Sequence, residues 1–216
     1  MSAPAATKIF LQDATSVLGT AATAGGGIGC VNGTNIYVYR QATTSQGSSA
    51  VTKTFAPTAT APPCQWQTAT GSGHYLRFIS PPLSAAVTIA GNINYQAGCA
   101  ESNASTNAGF RFAVYRWSQA SGGIAATIHT SATSTECAGA NIAIAAAAPT
   151  STAMAIGDRL VFDVQVMNVG TWGGNGSRTV SLVYGAATGV YGDSFANFVD
   201  TILFSTDTNN ARAVVQ

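Results

Sequence analysis

The sequence predicts an all-β protein, an antiparallel jelly-roll β-sandwich with an extended N-terminal arm. Three observations predict it. Short runs of β-branched and aromatic residues recur from His74 to Ser205, separated by Gly, Asn, Ser and Pro turns, which is the spacing of a sandwich or barrel. Several runs alternate apolar and polar side chains with period two, as a strand with one buried face does. Helix signals are thin, because the alanine run at 145–148 is short, uncapped and stopped by Pro149.

The elements follow in order. Residues 1–70 are a mix of Ala, Thr, Ser, Gly and Pro with three apolar islands, KIFL (8–11), NIYVYR (35–40) and VTKTF (51–55). Between them, AATAGGGIG and TATAPPCQW read as turns and extended linkers. Such a segment cannot bury a core alone, so its islands read as strands in need of a partner. Ile9, Phe10, Leu11, Ile36, Tyr37, Val38 and Tyr39 are the expected arm contacts. Residues 71–216 read as the sandwich. HYLRFIS (74–80) is stopped by Pro81 and Pro82. VTIAGNINY (87–95) places Val87, Ile89, Ile93 and Tyr95 on one face and Thr88, Asn92 and Asn94 on the other. FRFAVYRW (110–117) places Phe110, Phe112 and Val114 opposite Arg111, Ala113 and Tyr115. ATIHT (126–130) and NIAIAAA (141–147) are weaker. DRLVFDVQV (158–166) is the clearest, with Leu160, Phe162, Val164 and Val166 inward and Arg159, Asp163 and Gln165 outward. RTVSLVYG (178–185) and NFVDTILFS (197–205) close the pattern. That makes about eight strands, the jelly-roll count.

Charge excludes whole function classes. Only 8% of the 216 residues are charged, against about 25% for an average soluble domain. Nine Lys and Arg against eight Asp and Glu leave a net charge of +1. That is too little to displace counterions from phosphates, so no nucleic-acid partner is expected. Coiled coils need far more Glu, Lys and Arg. No apolar run reaches the roughly 18 residues of a membrane span.

Catalytic patterns are missing too. Asp158 and Asp163 lie five apart and point to opposite strand faces by parity, so they form no acid–base dyad. Asp193 and Asp200 read as turn or edge residues, and His74 and His129 stand without a neighbouring nucleophile. The run Gly25–Gly26–Gly27–Ile28–Gly29 lacks the Gly-Lys-Ser/Thr ending of a phosphate loop. The acceptor patterns at Asn32, Asn103 and Asn175 are chance matches in an Asn- and Ser-rich chain. Cys30, Cys64, Cys99 and Cys137 show no C-x-x-C spacing, so neither a metal nor another cofactor is expected. Cys99 and Cys137 occupy polar stretches, QAGCAESN and STECAGAN, that could meet at one end of the sandwich as a disulfide. Free thiols in a reducing cytosol are the alternative. Tyr115 and Trp117 on the outer parity of their strand, and Trp172 in GTWGGNGSR, either cover the open edge of the sandwich or serve as candidates to stack on a glycan or plug into a partner, with protein contact favoured over glycan.

The block HYLRFISPPLSAAVTIAGNINYQAGCAESNASTNAGFRFAVYRW, followed by GDRLVFDVQV and NFVDTILFS, resembles the jelly-roll structural proteins of tailed-bacteriophage particles, the head decoration or cement group. Similar strands occur in carbohydrate-binding jelly rolls of tail fibres. The resemblance implies a non-enzymatic virion component on the head surface, commonly a homotrimer, that binds the major capsid protein and copies of itself. A tail-fibre or spike module binding a receptor or carbohydrate is the alternative. No basic n-region with an apolar core opens the chain, which fits assembly in the host cytoplasm.

Overall fold

The computed structural model describes residues 7–11, 36–41, 51–55, 75–101, 103–138, 141–144, 148–169, 180–184 and 194–205. At 10, 36–41, 51–55, 75–77, 141, 166, 168, 181, 183 and 184 it describes the backbone alone. These residues carry thirteen strands and no helix: β1 (Thr7–Leu11), β2 (Ile36–Gln41), β3 (Val51–Phe55), β4 (Tyr75–Ile79), β5 (Val87–Ile89), β6 (Ile93–Glu101), β7 (Ala108–Ser118), β8 (Gly123–Thr130), β9 (Asn141–Ile144), β10 (Thr152–Met154), β11 (Arg159–Asn168), β12 (Val180–Tyr184) and β13 (Phe195–Phe198).

The strands build an antiparallel β-sandwich. One sheet runs β3–β12–β6–β13–β1, with β9 on the other edge of β6. The second runs β4–β11–β7–β8, and β2 joins the two. Tyr39–Gln41 of β2 pair antiparallel with β1, whereas Ile36–Val38 pair parallel with β4. The long β6 takes two partners in tandem on one side, β13 along Ile93–Gln96 and β12 along Gly98–Glu101.

The alternation read from the sequence sets the core between the sheets. Ile93, Tyr95, Ala97 and Cys99 of β6 face Phe110, Phe112 and Val114 of β7 and Leu160, Phe162 and Val164 of β11, all buried. Tyr95 stacks on Phe112 with ring centroids 4.8 Å apart, and Phe162 meets Phe198 edge-on at 5.9 Å. Each such pair adds about 0.5–1.5 kcal/mol beyond its buried area.

Several expectations need correction. The islands at 7–11, 36–41 and 51–55 are strands of this chain's own sheets. Ile9 and Leu11 are fully buried in its core, so neither side chain is an arm contact with another molecule. The cause is β1 itself, which fills the space between β13 and β2 and brings Thr7 Oγ1 to accept the Ile202 N–H at 2.7 Å. The side chains of Phe10, Ile36, Tyr37, Val38 and Tyr39 lie outside those described.

The run 87–95 is two strands. The N–H groups of Ala90 and Gly91 donate to Asp200 Oδ2 at 3.0 and 2.9 Å, which turns the chain and sends β5 to pair with β10 in a small separate sheet. In the last run, β13 ends at Phe198 and only the Leu83–Phe204 bridge follows. The outer parity of the second sheet is covered too. Ile79, Ala113, Val161, Asp163 and Arg159 are all buried, so Arg159 and Asp163 do not point into solvent as alternation suggested. Arg159 Nη1 donates to the Ser80 carbonyl at 3.0 Å, which keeps the guanidinium hydrogen-bonded in the interior.

Candidate functional site

The two ends of the sandwich differ in chemistry. At one end β6 finishes, β7 begins and a strap, residues 131–138, runs beside β7. The strap continues the β7 edge beyond the last β8 pair, Ala113 with Thr130. Its sequence SATSTEC repeats every three residues against the two-residue period of the strand. The N–H groups of Ser131, Ser134 and Cys137 donate to the carbonyls of Phe112, Phe110 and Ala108, each at 2.8 Å. In return, Phe112 N–H and Phe110 N–H donate to the hydroxyls of Ser131 and Ser134 at 3.0 and 2.9 Å. Position 137 is a cysteine without an oxygen, and Glu101 Oε1 takes its place, accepting from Ala108 N–H at 2.7 Å.

Cys99 and Cys137 form a disulfide across this junction, with Cα atoms 5.9 Å apart, tying the strap to the first sheet. Both residues are fully buried. The bond places Glu136 against Glu101, whose carboxyl is pushed up to about 7 by burial and by the neighbouring acid, against the lowering effect of the Ala108 N–H. Glu101 Oε2 is buried with no hydrogen-bond donor.

The opposite end is held by two carboxylates. Asp158, 2% exposed, accepts from Arg116 Nε at 2.7 Å, Ala155 N–H at 2.9 Å and Gln119 N–H at 3.1 Å. Asp200 clamps the 90–91 turn as described above. Among the described residues, the large hydrophobic side chains that stand exposed are Ile124, Ile156, Val199 and Leu203. All four lie at this end. Ile124 pairs with Trp117 at the far end of β7. Ile156 sits in the turn whose Gly157 N–H donates to Leu83, Leu203 accepts from Ser84 N–H, and Val199 N–H donates to Asn92.

Of the aromatic side chains expected to meet a partner or a glycan, Trp117 and Tyr115 are described. Trp117 is 7% exposed because its strand face is the covered one, so it cannot stack on a glycan. Tyr115 is half-buried, and Trp172, His74, Asp193, Cys30 and Cys64 lie outside the described residues. His129 is buried, with Nδ1 2.9 Å from the Tyr95 hydroxyl. Burial raises the Tyr95 phenol far above its usual range and lowers the imidazole, which leaves a neutral pair inside the core rather than an acid–base couple. No cluster of three His, Cys, Asp or Glu side chains able to hold a metal occurs among the described residues. The strap ladder and the apolar end carried no signature in a one-face strand reading. The traces open to view were Ser-x-x-Ser-x-x-Cys at 131–137 and isolated Ile and Leu in turns.

No protein-family model matches the chain, and no curated protein matches it. Two crystal structures of a CocE/NonD family hydrolase from Staphylococcus aureus are similar in fold. The first has a TM-score of 0.53 at 11% identity and covers 94% of this chain and 37% of the hydrolase. The second has a TM-score of 0.52 at 11% identity and covers 93% and 37%. The chain therefore spans well under half the length of that hydrolase, and at such identity what the two share is a fold.

Proposed function

We propose that the chain is a non-enzymatic structural protein of a phage particle, a decoration protein seated on the major capsid protein of the head and associating with copies of itself. The observation that carries this reading is the apolar end. Ile156 is 65% exposed, Val199 54% and Leu203 51%, on the connections near Asp158 and Asp200, and Ile124 is 47% exposed at the start of β8. Isolated exposed hydrophobics are ordinary, but four that share one end of the sandwich offer apolar surface for a contact. A chain with 8% charge also suits burial in an assembly, since interface cores are depleted in charge.

The docking role thus passes from the first strand, whose Ile9 and Leu11 serve the core, to this end of the sandwich. Asp158 and Asp200 have structural duties, Asp158 at a turn hub and Asp200 at a turn clamp. The fold shared with a hydrolase brings no reaction with it, because function resides in sites rather than folds. The glycan reading loses Trp117 as its platform.

Co-sedimentation with phage heads stripped of this protein tests the proposal. The wild type should pellet with the heads and raise their resistance to heat, while Ile156→Asp and Leu203→Asp should weaken binding at least tenfold and keep the wild-type melting temperature. Equal binding by the variants, or turnover of ester substrates by the purified protein, would count against it.

A further inference from the structure

The end of the sandwich bearing the disulfide holds a device that the docking proposal does not use. Three rungs fix the strap to β7, and two of them rely on serine hydroxyls that also donate onward, Ser131 to the Ala132 carbonyl at 2.7 Å and Ser134 to the Thr135 carbonyl at 2.6 Å. The third relies on a carboxyl. Glu101 Oε1 is engaged by Ala108 N–H at 2.7 Å, while Oε2 is buried and lacks a donor. The group beside it is the Glu136 carboxyl, held there because Cys137, the next residue, is bonded to Cys99. Two carboxylates are both acceptors, so only a proton between them satisfies the pair.

We propose that Glu101 carries a proton on its buried Oε2 that it directs at the Glu136 carboxyl, and that this proton is a pH-operated latch that holds the strap on β7 in acid and loosens it in alkali. Among the described residues, the surroundings supply little else that titrates. β12 places Val180 opposite Glu101, and β7 offers the Ala108 N–H. Among the described residues, the groups that act on the Glu101 charge are that N–H and Glu136.

The direction follows from linkage. A carboxyl that binds its proton more tightly in the closed state favours closure below its ordinary range, and the gain is lost as pH rises through about 7. Closing the strap is thereby coupled to proton uptake at the junction of the two sheets. The disulfide keeps the strap tethered when the latch opens, so the motion is a local, reversible release.

Amide hydrogen exchange of the intact oxidised protein, with a chelator present to keep cations off the carboxyls, tests the latch. After correction for intrinsic chemistry, protection at Ser134 and Cys137 should fall roughly tenfold between about pH 5 and about pH 8.5, a value reduced for solvent screening of a half-buried pair. Amides of Val161–Val164 in β11 should keep their protection. Glu136→Gln, whose amide can donate to Glu101 without titrating, should flatten the strap profile to less than about a twofold change. Side-chain carboxyl NMR should place one titration near 7. Strap protection independent of pH, an equal fall in Glu136→Gln or in β11, or an ordinary carboxyl titration of Glu101 would each overturn the proposal.

Discussion

Breaking the disulfide between Cys99 and Cys137 removes the one covalent tie described between the strap and the first sheet. The cross-linked positions are 38 residues apart. For a loop of that length the chain-entropy relation gives about 4 kcal/mol of stabilisation. In a chain of this size each kcal/mol moves the melting temperature by about 2–4 °C, so the loss should lie in the range of about 8–16 °C. Scanning calorimetry of the oxidised protein, of protein reduced in denaturant and refolded with reductant, and of Cys99→Ala/Cys137→Ala measures it. The oxidised and reduced forms are compared in a Cys30→Ser/Cys64→Ser background, so that Cys99–Cys137 is the cross-link broken while both of its sulfurs stay in the core. The double variant should melt slightly lower again, since each Cys→Ala leaves a small void. Reductant added to native protein should act slowly, because both cysteines are fully buried. A reduced form that melts within about 2 °C of the oxidised form would refute the reasoning.

Further outcomes follow from single contacts. Asp158→Asn should cost about 2–4 kcal/mol in urea unfolding, because it leaves the Arg116 guanidinium without its anion at a buried hub. Gly109→Ala should cost about 1–3 kcal/mol, since the new Cβ would come within 2.7 Å of Val169 Cγ1 and 3.1 Å of the Ser134 carbonyl. Exchange measurements should then show the strap displaced. Tyr95→Phe should cost about 1–2 kcal/mol by leaving His129 Nδ1 without its partner. His129 itself has a lowered pKa, so its contribution is present above the ordinary histidine range and is lost as pH falls below it. In a Glu101→Gln background, which removes the opposing titration, stability should fall from about pH 7 to about pH 5 and stop falling once His129→Asn is added.

The central strands are legible in the sequence, and the reason is local. In β6, β7 and β11 one face meets the other sheet, so period-two alternation at Ile93 and Tyr95, Phe110 and Phe112, or Leu160 and Phe162 declares the buried side. The same rule fails where both faces are covered. Arg159, Asp163 and Trp117 sit at outward parity yet are buried, because alternation records residue type and not what lies over the sheet. β10 was not legible either, being three residues, Thr152–Met154, that gain their meaning by pairing with β5.

The first strand shows a different limit. KIFL reads as a strand, but which molecule it joins depends on pairing across 180 residues or more of chain, from Ile9 to Ala196. Edge protection also escaped a reading based on charge. β8 carries no charged residue and instead takes two register shifts against β7, bulges that twist an edge away from neighbours. At the apolar end, Ile156 and the pair Val199 and Leu203 are far apart in sequence and are brought to the same end of the sandwich by the fold.

Electron cryomicroscopy of phage particles from a lysate that contains this protein tests the structural role most directly. A repeating β-sandwich density on the head lattice, with the Ile156 and Leu203 end against the capsid subunit, is the expected result. Particles purified to homogeneity that lack the protein altogether, while it remains free in the lysate, would contradict the proposal.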